Sequence, residues 1–291
     1  MLCAGSLAWL AWTMFRVPVL APEASVEFDF VAEGSRDGGE ALVPRLDLGG
    51  LPVVEVEVGE LKALFIVDTG AERNLIRPKA LRRLGLPEAR GPLQHFRGIN
   101  GPLTGHRMAL AHLGFGGRSF YDQSFVAVEM EDFFEAIGGD IAGFLGRPFF
   151  GDEALVFSED SLRLGGDADL ARIPARDGTV VEVVLDGVTL EGWVDTGAAR
   201  SSLSTSAARK AGVIDAQPAG AQIGAEGWVH PVAEAEFARL ELGPLHFENP
   251  LLQVGHRDER VDLRIGMDLL ERLDAFGVDF STDEVLLGGV K

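Results

Sequence analysis

A chain of 291 residues with 46% hydrophobic side chains exceeds the usual span of a single core, so two domains are expected. Asp plus Glu number 45 against 26 Lys plus Arg, a formal net charge of −19, which sets nucleic acid and anionic membrane surfaces aside as partners. The single cysteine, Cys3, excludes an internal disulfide and a Cys-based zinc site.

In chain order, Leu2 to Phe15 is an uncharged, mostly apolar run followed by Arg16, with small residues at Ala21 and Ala24. That run has the length of a signal-peptide core and is short for a membrane span. Residues 1–24 are therefore expected to be a signal peptide or a membrane anchor, placing the protein in the periplasm, outside the cell, or tethered by its N-terminus. No Lys or Arg precedes the run, which leaves an intracellular protein with an unusual N-terminus as the other reading. Residues 25–44 read as a polar lead-in.

The rest of the chain is one unit written twice. Val67-Asp68-Thr69-Gly70-Ala71 recurs letter for letter as Val194-Asp195-Thr196-Gly197-Ala198. With Asp68 laid on Asp195, Val53-Val54-Glu55-Val56 falls on Val180-Val181-Glu182-Val183, and Arg82-Arg83 falls on Arg209-Lys210. Phe157 to Gly166 resembles Phe280 to Gly289. Such in-register self-similarity is the mark of a duplicated domain. The expected division is 45–166 and 175–291, with a linker at 167–174.

Each copy reads mostly as strand. Val53 to Val58 alternates apolar and acidic residues, and Leu61 to Val67 runs straight into Asp68. One short helix per copy is punctuated by Pro78 and Gly85 in the first and by Ser204 and Gly212 in the second. Gly98-Ile99-Asn100-Gly101 signals a hairpin, and Gly224-Ala225-Glu226-Gly227 lies at nearly the same place in copy two. Two strands ending in Asp-Thr-Gly, related by a pseudo-twofold, would bring Asp68 and Asp195 face to face. Carboxylates in contact share a proton and so supply a general acid and a general base from one residue type. The six His show no metal-ligand spacing and no phosphate-binding loop appears, so neither metal nor cofactor is expected.

These residues resemble the retropepsin-like aspartic proteases of the pepsin/retropepsin superfamily, in the single-chain, two-lobe bacterial periplasmic form. The resemblance rests on the two Asp-Thr-Gly-Ala segments and on Phe144-Leu145-Gly146-Arg147 and Ile265-Gly266-Met267, and it covers roughly 45–291. In the second of these, Arg264 stands where an apolar residue is the family habit. The resemblance implies an all-β bilobal acid-protease fold, two tandem β-barrel lobes each with a short helix. It implies Asp68 and Asp195 as the catalytic pair, and Thr69, Gly70, Thr196 and Gly197 as its support. Gly98, Ile99, Asn100, Gly101, Gly224, Ala225, Glu226 and Gly227 become candidate flap tips. Tyr121, the only Tyr, lies too far downstream to be a flap tyrosine, and Trp228 is the candidate for that space. Arg147 is expected beside Glu72. Copy one carries extra residues within 129–143.

The function implied is aspartic endopeptidase action on a peptide or protein substrate, by a monomer. Ala71 and Ala198 lack the hydroxyl that pepsin-like enzymes direct at the carboxylates, so a working pH nearer neutral is expected. The alternatives are a catalytically silent peptide- or protein-binding module of the same fold, and a structural exported protein.

Overall fold

The computed structural model describes residues 35–98, 101–166, 168–256 and 260–291. The segment read as signal or anchor lies outside them, as do Ile99 and Asn100. Among the described residues no helix is long and apolar enough to cross a membrane.

In the first lobe the strands Leu51–Val58 and Leu61–Val67 pair antiparallel from Val53↔Ile66 to Val58↔Leu61. The period-2 pattern holds, since Val54, Val56 and Val58 are buried while Glu55 and Glu57 face solvent. Leu61–Val67 then lies parallel to Ile141–Leu145, which pairs antiparallel with Asn74–Ile76. The chain therefore returns to place a later strand between two earlier ones. The second lobe repeats this: Val188–Val194 lies parallel to Leu263–Ile265, which pairs antiparallel with Ser202–Ser204.

Between the lobes the two terminal hairpins meet back to back. Ala154–Ser158 pairs antiparallel with Ala275–Asp279, and their partners Ser161–Leu164 and Glu284–Leu287 flank them. Phe157 and Phe276 stack across the seam with centroids 4.8 Å apart. Residues 41–44, read as lead-in, belong to the strand Ala41–Leu48 and pair with Ser161–Leu164. Residues 171–174, read as linker, form the strand Ala171–Pro174 along Glu284–Leu287. Each outer edge of the seam is thus closed by the segment that leads into the following lobe.

The expected helices are Pro78–Arg83 and Thr205–Lys210. Ser204 caps the latter by accepting from the Ala207 N–H at 3.0 Å, one of the donors a helix start otherwise leaves unpaired. Short helices at Arg147–Phe150 and Met267–Leu270 follow Gly146 and Gly266. The extra residues of copy one hold a further helix, Glu131–Ile137. Its Phe133 and Phe134 are buried against Phe144, at centroid distances of 5.6 and 5.7 Å, in an apolar cluster with Leu75, Val126 and Ile66.

Candidate active site

Asp68 and Asp195 each follow the last residue of a strand that lies beside a parallel neighbour. That neighbour holds the backbone: the Asp68 N–H donates to Leu145 O at 2.9 Å and the Asp195 N–H to Ile265 O at 3.0 Å. The two loops are then tied to each other through the threonines. The Thr69 hydroxyl donates to Val194 O at 2.9 Å and accepts from the Thr196 N–H at 3.1 Å. The Thr196 hydroxyl donates to Val67 O at 2.7 Å and accepts from the Thr69 N–H at 3.0 Å. Both side chains are buried, so all four bonds form out of contact with water and fix one loop against the other.

The glycines allow the close approach. A methyl group on Gly197 would stand 2.5 Å from both Asp68 carboxylate oxygens, and one on Gly70 would stand 2.7 Å from Asp195 Oδ1. Each glycine N–H instead donates to the carboxylate of its own loop, Gly70 to Asp68 Oδ1 and Gly197 to Asp195 Oδ1, both at 2.9 Å. Asp68 and Asp195 are hydrogen-bonded neighbours. Burial, followed by the charge of Asp195 and the hydrogen bond between them, pushes the Asp68 carboxyl well above the usual carboxylate range. The Gly70 and Ala71 N–H groups oppose that rise without cancelling it. The pair therefore holds a proton at a pH where isolated carboxyls have lost theirs.

Two supports escaped the sequence reading. The Gly146 N–H donates to Asn74 Oδ1 and the Gly266 N–H to Ser201 Oγ, both at 2.9 Å. Asn74 and Ser201 fall on each other when Asp68 is laid on Asp195, so the repeat itself was the signal. Ser201 also donates to Asp268 Oδ1 at 2.6 Å, anchoring the short helix that follows Gly266.

Arg264, noted in the sequence only as a departure from an apolar habit, adds a third. Its side chain is buried, with the residue at 4% exposure and Nη1 3.9 Å from Asp195 Oδ2. That distance is too long for a hydrogen bond but sets a cation beside the pair.

Both expected hairpins form. Leu93–Arg97 pairs with Pro102–Phe115, closed by the Gly98 N–H donating to Gly101 O at 2.8 Å. Gly224 to Gly227 lies in the turn between Gln217–Ile223 and Val229–Glu236. The hairpin ends approach one another: a methyl on Gly98 would reach Glu226 Oε2 at 2.5 Å, and one on Gly101 would reach the Trp228 ring at 2.8 Å. The second tip also reaches the extra helix, where a methyl on Gly227 would lie 3.1 Å from Asp132 Oδ2. Ala225 and Ile223 pack on the apolar cluster that contains Phe133 and Phe134. Arg147, expected beside Glu72, donates to Asp177 O at 3.0 Å and lies 5.2 Å over the Phe280 ring, so it ties the first lobe to the second. Glu72 lies 3.7 Å from Arg73.

The comparisons with known proteins agree with this architecture. The pattern of the family described as "Aspartyl protease" matches residues 54–149 and 181–269, which together make up more than half of the chain and coincide with the two repeats. The crystal structure of the aspartic proteinase from Irpex lacteus is similar in fold, with a TM-score of 0.59 over 87% of this chain and 98% of that one, at 13% sequence identity. No curated protein sequence matches. With the family pattern met once in each lobe, the chain belongs to the aspartyl protease family, with a retropepsin- and pepsin-like fold.

Proposed function

We propose that the protein is an aspartic endopeptidase that hydrolyses peptide bonds with a water held between Asp68 and Asp195. The observation that carries this reading is the close approach of two carboxyls, one from each repeat, across Gly70 and Gly197, where burial and Asp195 raise the Asp68 carboxyl well above the usual carboxylate range. A pure binding module gains nothing from such a contact, which costs free energy in the absence of a reaction to use it.

In this scheme the charged carboxylate, Asp195, takes a proton from the water as it attacks the scissile carbonyl carbon. Asp68 gives its proton to the carbonyl oxygen, so the tetrahedral intermediate forms as a neutral diol. The proton on Asp195 then passes to the amide nitrogen, the C–N bond breaks, and Asp68 recovers its proton from the departing diol. Arg264 offers the negative charge on Asp195 a nearby cation at 3.9 Å. The two hairpin tips would cover the peptide from above, with Trp228 at their meeting point. For residues 1–24 we propose export or membrane tethering.

The pH dependence follows. Activity requires one proton on the pair. It is lost on the alkaline side as pH rises through the raised pKa of Asp68, and on the acid side as the second carboxyl takes up a proton. Because the hydroxyl donors of pepsin-like loops are replaced by Ala71 and Ala198, the optimum is expected well above about pH 3. Digestion of a diverse peptide library by residues 25–291 across the pH range checks both points. An optimum below about 3 would contradict the electrostatic account, and peptide binding without cleavage at any pH would favour the silent binding module.

A further inference from the structure

Arg264 carries an unused recognition edge. Its Nη1 faces Asp195 Oδ2, whereas Nε and Nη2 are buried without a hydrogen-bond partner. Nε and Nη2 form one side of the guanidinium plane, the side whose two parallel N–H bonds match the two oxygens of a carboxylate. Leaving a charged donor buried and unpaired is expensive, so such groups in folded proteins mark a missing partner. Asp195 does not fill that role, being 3.9 Å from the other nitrogen and already accepting from the Gly197 N–H through Oδ1.

Strand register places Arg264 in a polar row. Trp193, Arg264, Ser202 and Gln253 are successive Cα partners across four strands and so share one face of the second-lobe sheet. Ser202 Oγ and Gln253 Oε1 are also buried without a partner. Trp193 identifies this face as the one turned to the first lobe, because its ring lies 3.1 Å from where a methyl on Gly70 would stand. The equivalent row of the first lobe, Ile66, Phe144, Leu75 and Val126, is apolar. It is filled over by Phe133 and Phe134. One lobe has sealed this face, and the other keeps a buried guanidinium beside Asp195 and two unpaired polar atoms further along the same row.

Resting on the endopeptidase reading above, we propose that Arg264, supported by Ser202 and Gln253, binds the side-chain carboxylate of an Asp or Glu next to the scissile bond of the substrate. The Nη1 contact with Asp195 sets the position, since a carboxylate on the opposite edge of the same guanidinium lies within one side chain of the reacting atoms. The chain carries a net charge of −19 and two acids at the site, so an acidic peptide would otherwise be repelled. The apolar row of the first lobe confines the preference to one side of the scissile bond.

Paired peptides that differ only in Glu or Gln, placed immediately before or immediately after the cleaved bond, test this. With the wild-type protein the Glu peptide is expected to be cleaved with a kcat/KM about ten- to a hundredfold higher, at one of the two positions only. In Arg264→Leu the Glu/Gln ratio falls to one or below, and in Arg264→Lys, which keeps the charge but loses the paired donors, it is intermediate. A ratio measured within each protein is insensitive to a general loss of folding or of dyad function. A ratio of one in the wild type, or an acidic preference that persists in Arg264→Leu, overturns the proposal and leaves the endopeptidase reading standing. If no peptide is cleaved, that reading falls instead. Calorimetric binding of the same peptides with the central amide reduced then decides the role of Arg264, with the same ratios expected and equal affinities overturning it.

Discussion

Asp68→Asn is expected to lower kcat by about 10³-fold or more, within or beyond the range that a positioned acid or base contributes. Asp195→Asn should cost a similar factor, because the two carboxyls act as one unit, and the double variant should cost little more than either single one. The two differ in stability. Burial and the like charge of Asp195 raise the Asp68 carboxyl well above the usual carboxylate range, so an amide in its place removes no favourable charge interaction. Its melting temperature near neutral pH should be unchanged or higher than that of the wild type. Asp195→Asn instead takes away the carboxylate beside the buried guanidinium of Arg264, and its melting temperature should fall. Steady-state kinetics with a cleaved peptide, together with thermal melts, read both effects. Equal turnover in Asp68→Asn and wild type would remove Asp68 from the chemistry.

Thr196→Val is expected to destabilise the fold by about 3 kcal/mol. Valine keeps the shape but neither donates to Val67 O nor accepts from the Thr69 N–H, and at this fully buried position no water replaces the lost partners. For a protein of this size that corresponds to a fall in melting temperature of roughly 6–12 °C. Thr205→Val, on the exposed start of the helix Thr205–Lys210, serves as the reference and should change stability by about 0.5 kcal/mol or less. Should the two variants melt alike, the threonine cross-link would not be what holds the lobes in register. Because the same four bonds fix the carboxyl pair, Thr196→Val should also lower kcat at temperatures where it remains folded.

Much of this was legible in the sequence because the fold is written twice. A single fixed offset carries Asp68 to Asp195, Thr69 to Thr196 and Asn74 to Ser201, and so marks out the two lobes by comparison of one with the other. Local signals did the same for the helix capped by Ser204, whose hydroxyl lies where an N-cap requires it. What stayed hidden depends on contacts between distant strands. Residues 41–44 and Ala171–Pro174 read as lead-in and linker because each is too short to show a strand period of its own, and pairing with the terminal hairpins is what makes them strands. The helix Glu131–Ile137 is short, starts at Met130 without a side-chain cap and ends at Gly138, so its periodicity is too brief to read. Arg264 appeared in the sequence only as a departure from an apolar habit. Its place beside Asp195 is set by the parallel pairing of Leu263–Ile265 with Val188–Val194, strands that lie far apart in the chain.

The central claim is that one carboxyl from each repeat shares a proton within a single chain. Carbon-13 nuclear magnetic resonance of the aspartate side-chain carboxyls, titrated from acid to neutral pH in the wild type and in Asp195→Asn, tests it most directly. One resonance, absent from Asp68→Asn, should remain protonated well above the usual carboxylate range. In Asp195→Asn it should move part of the way back, because the neighbouring charge is gone while burial, the larger cause, remains. If every aspartate carboxyl titrates in the ordinary range, or if the Asp68 resonance ignores the change at Asp195, the two residues do not form a coupled pair.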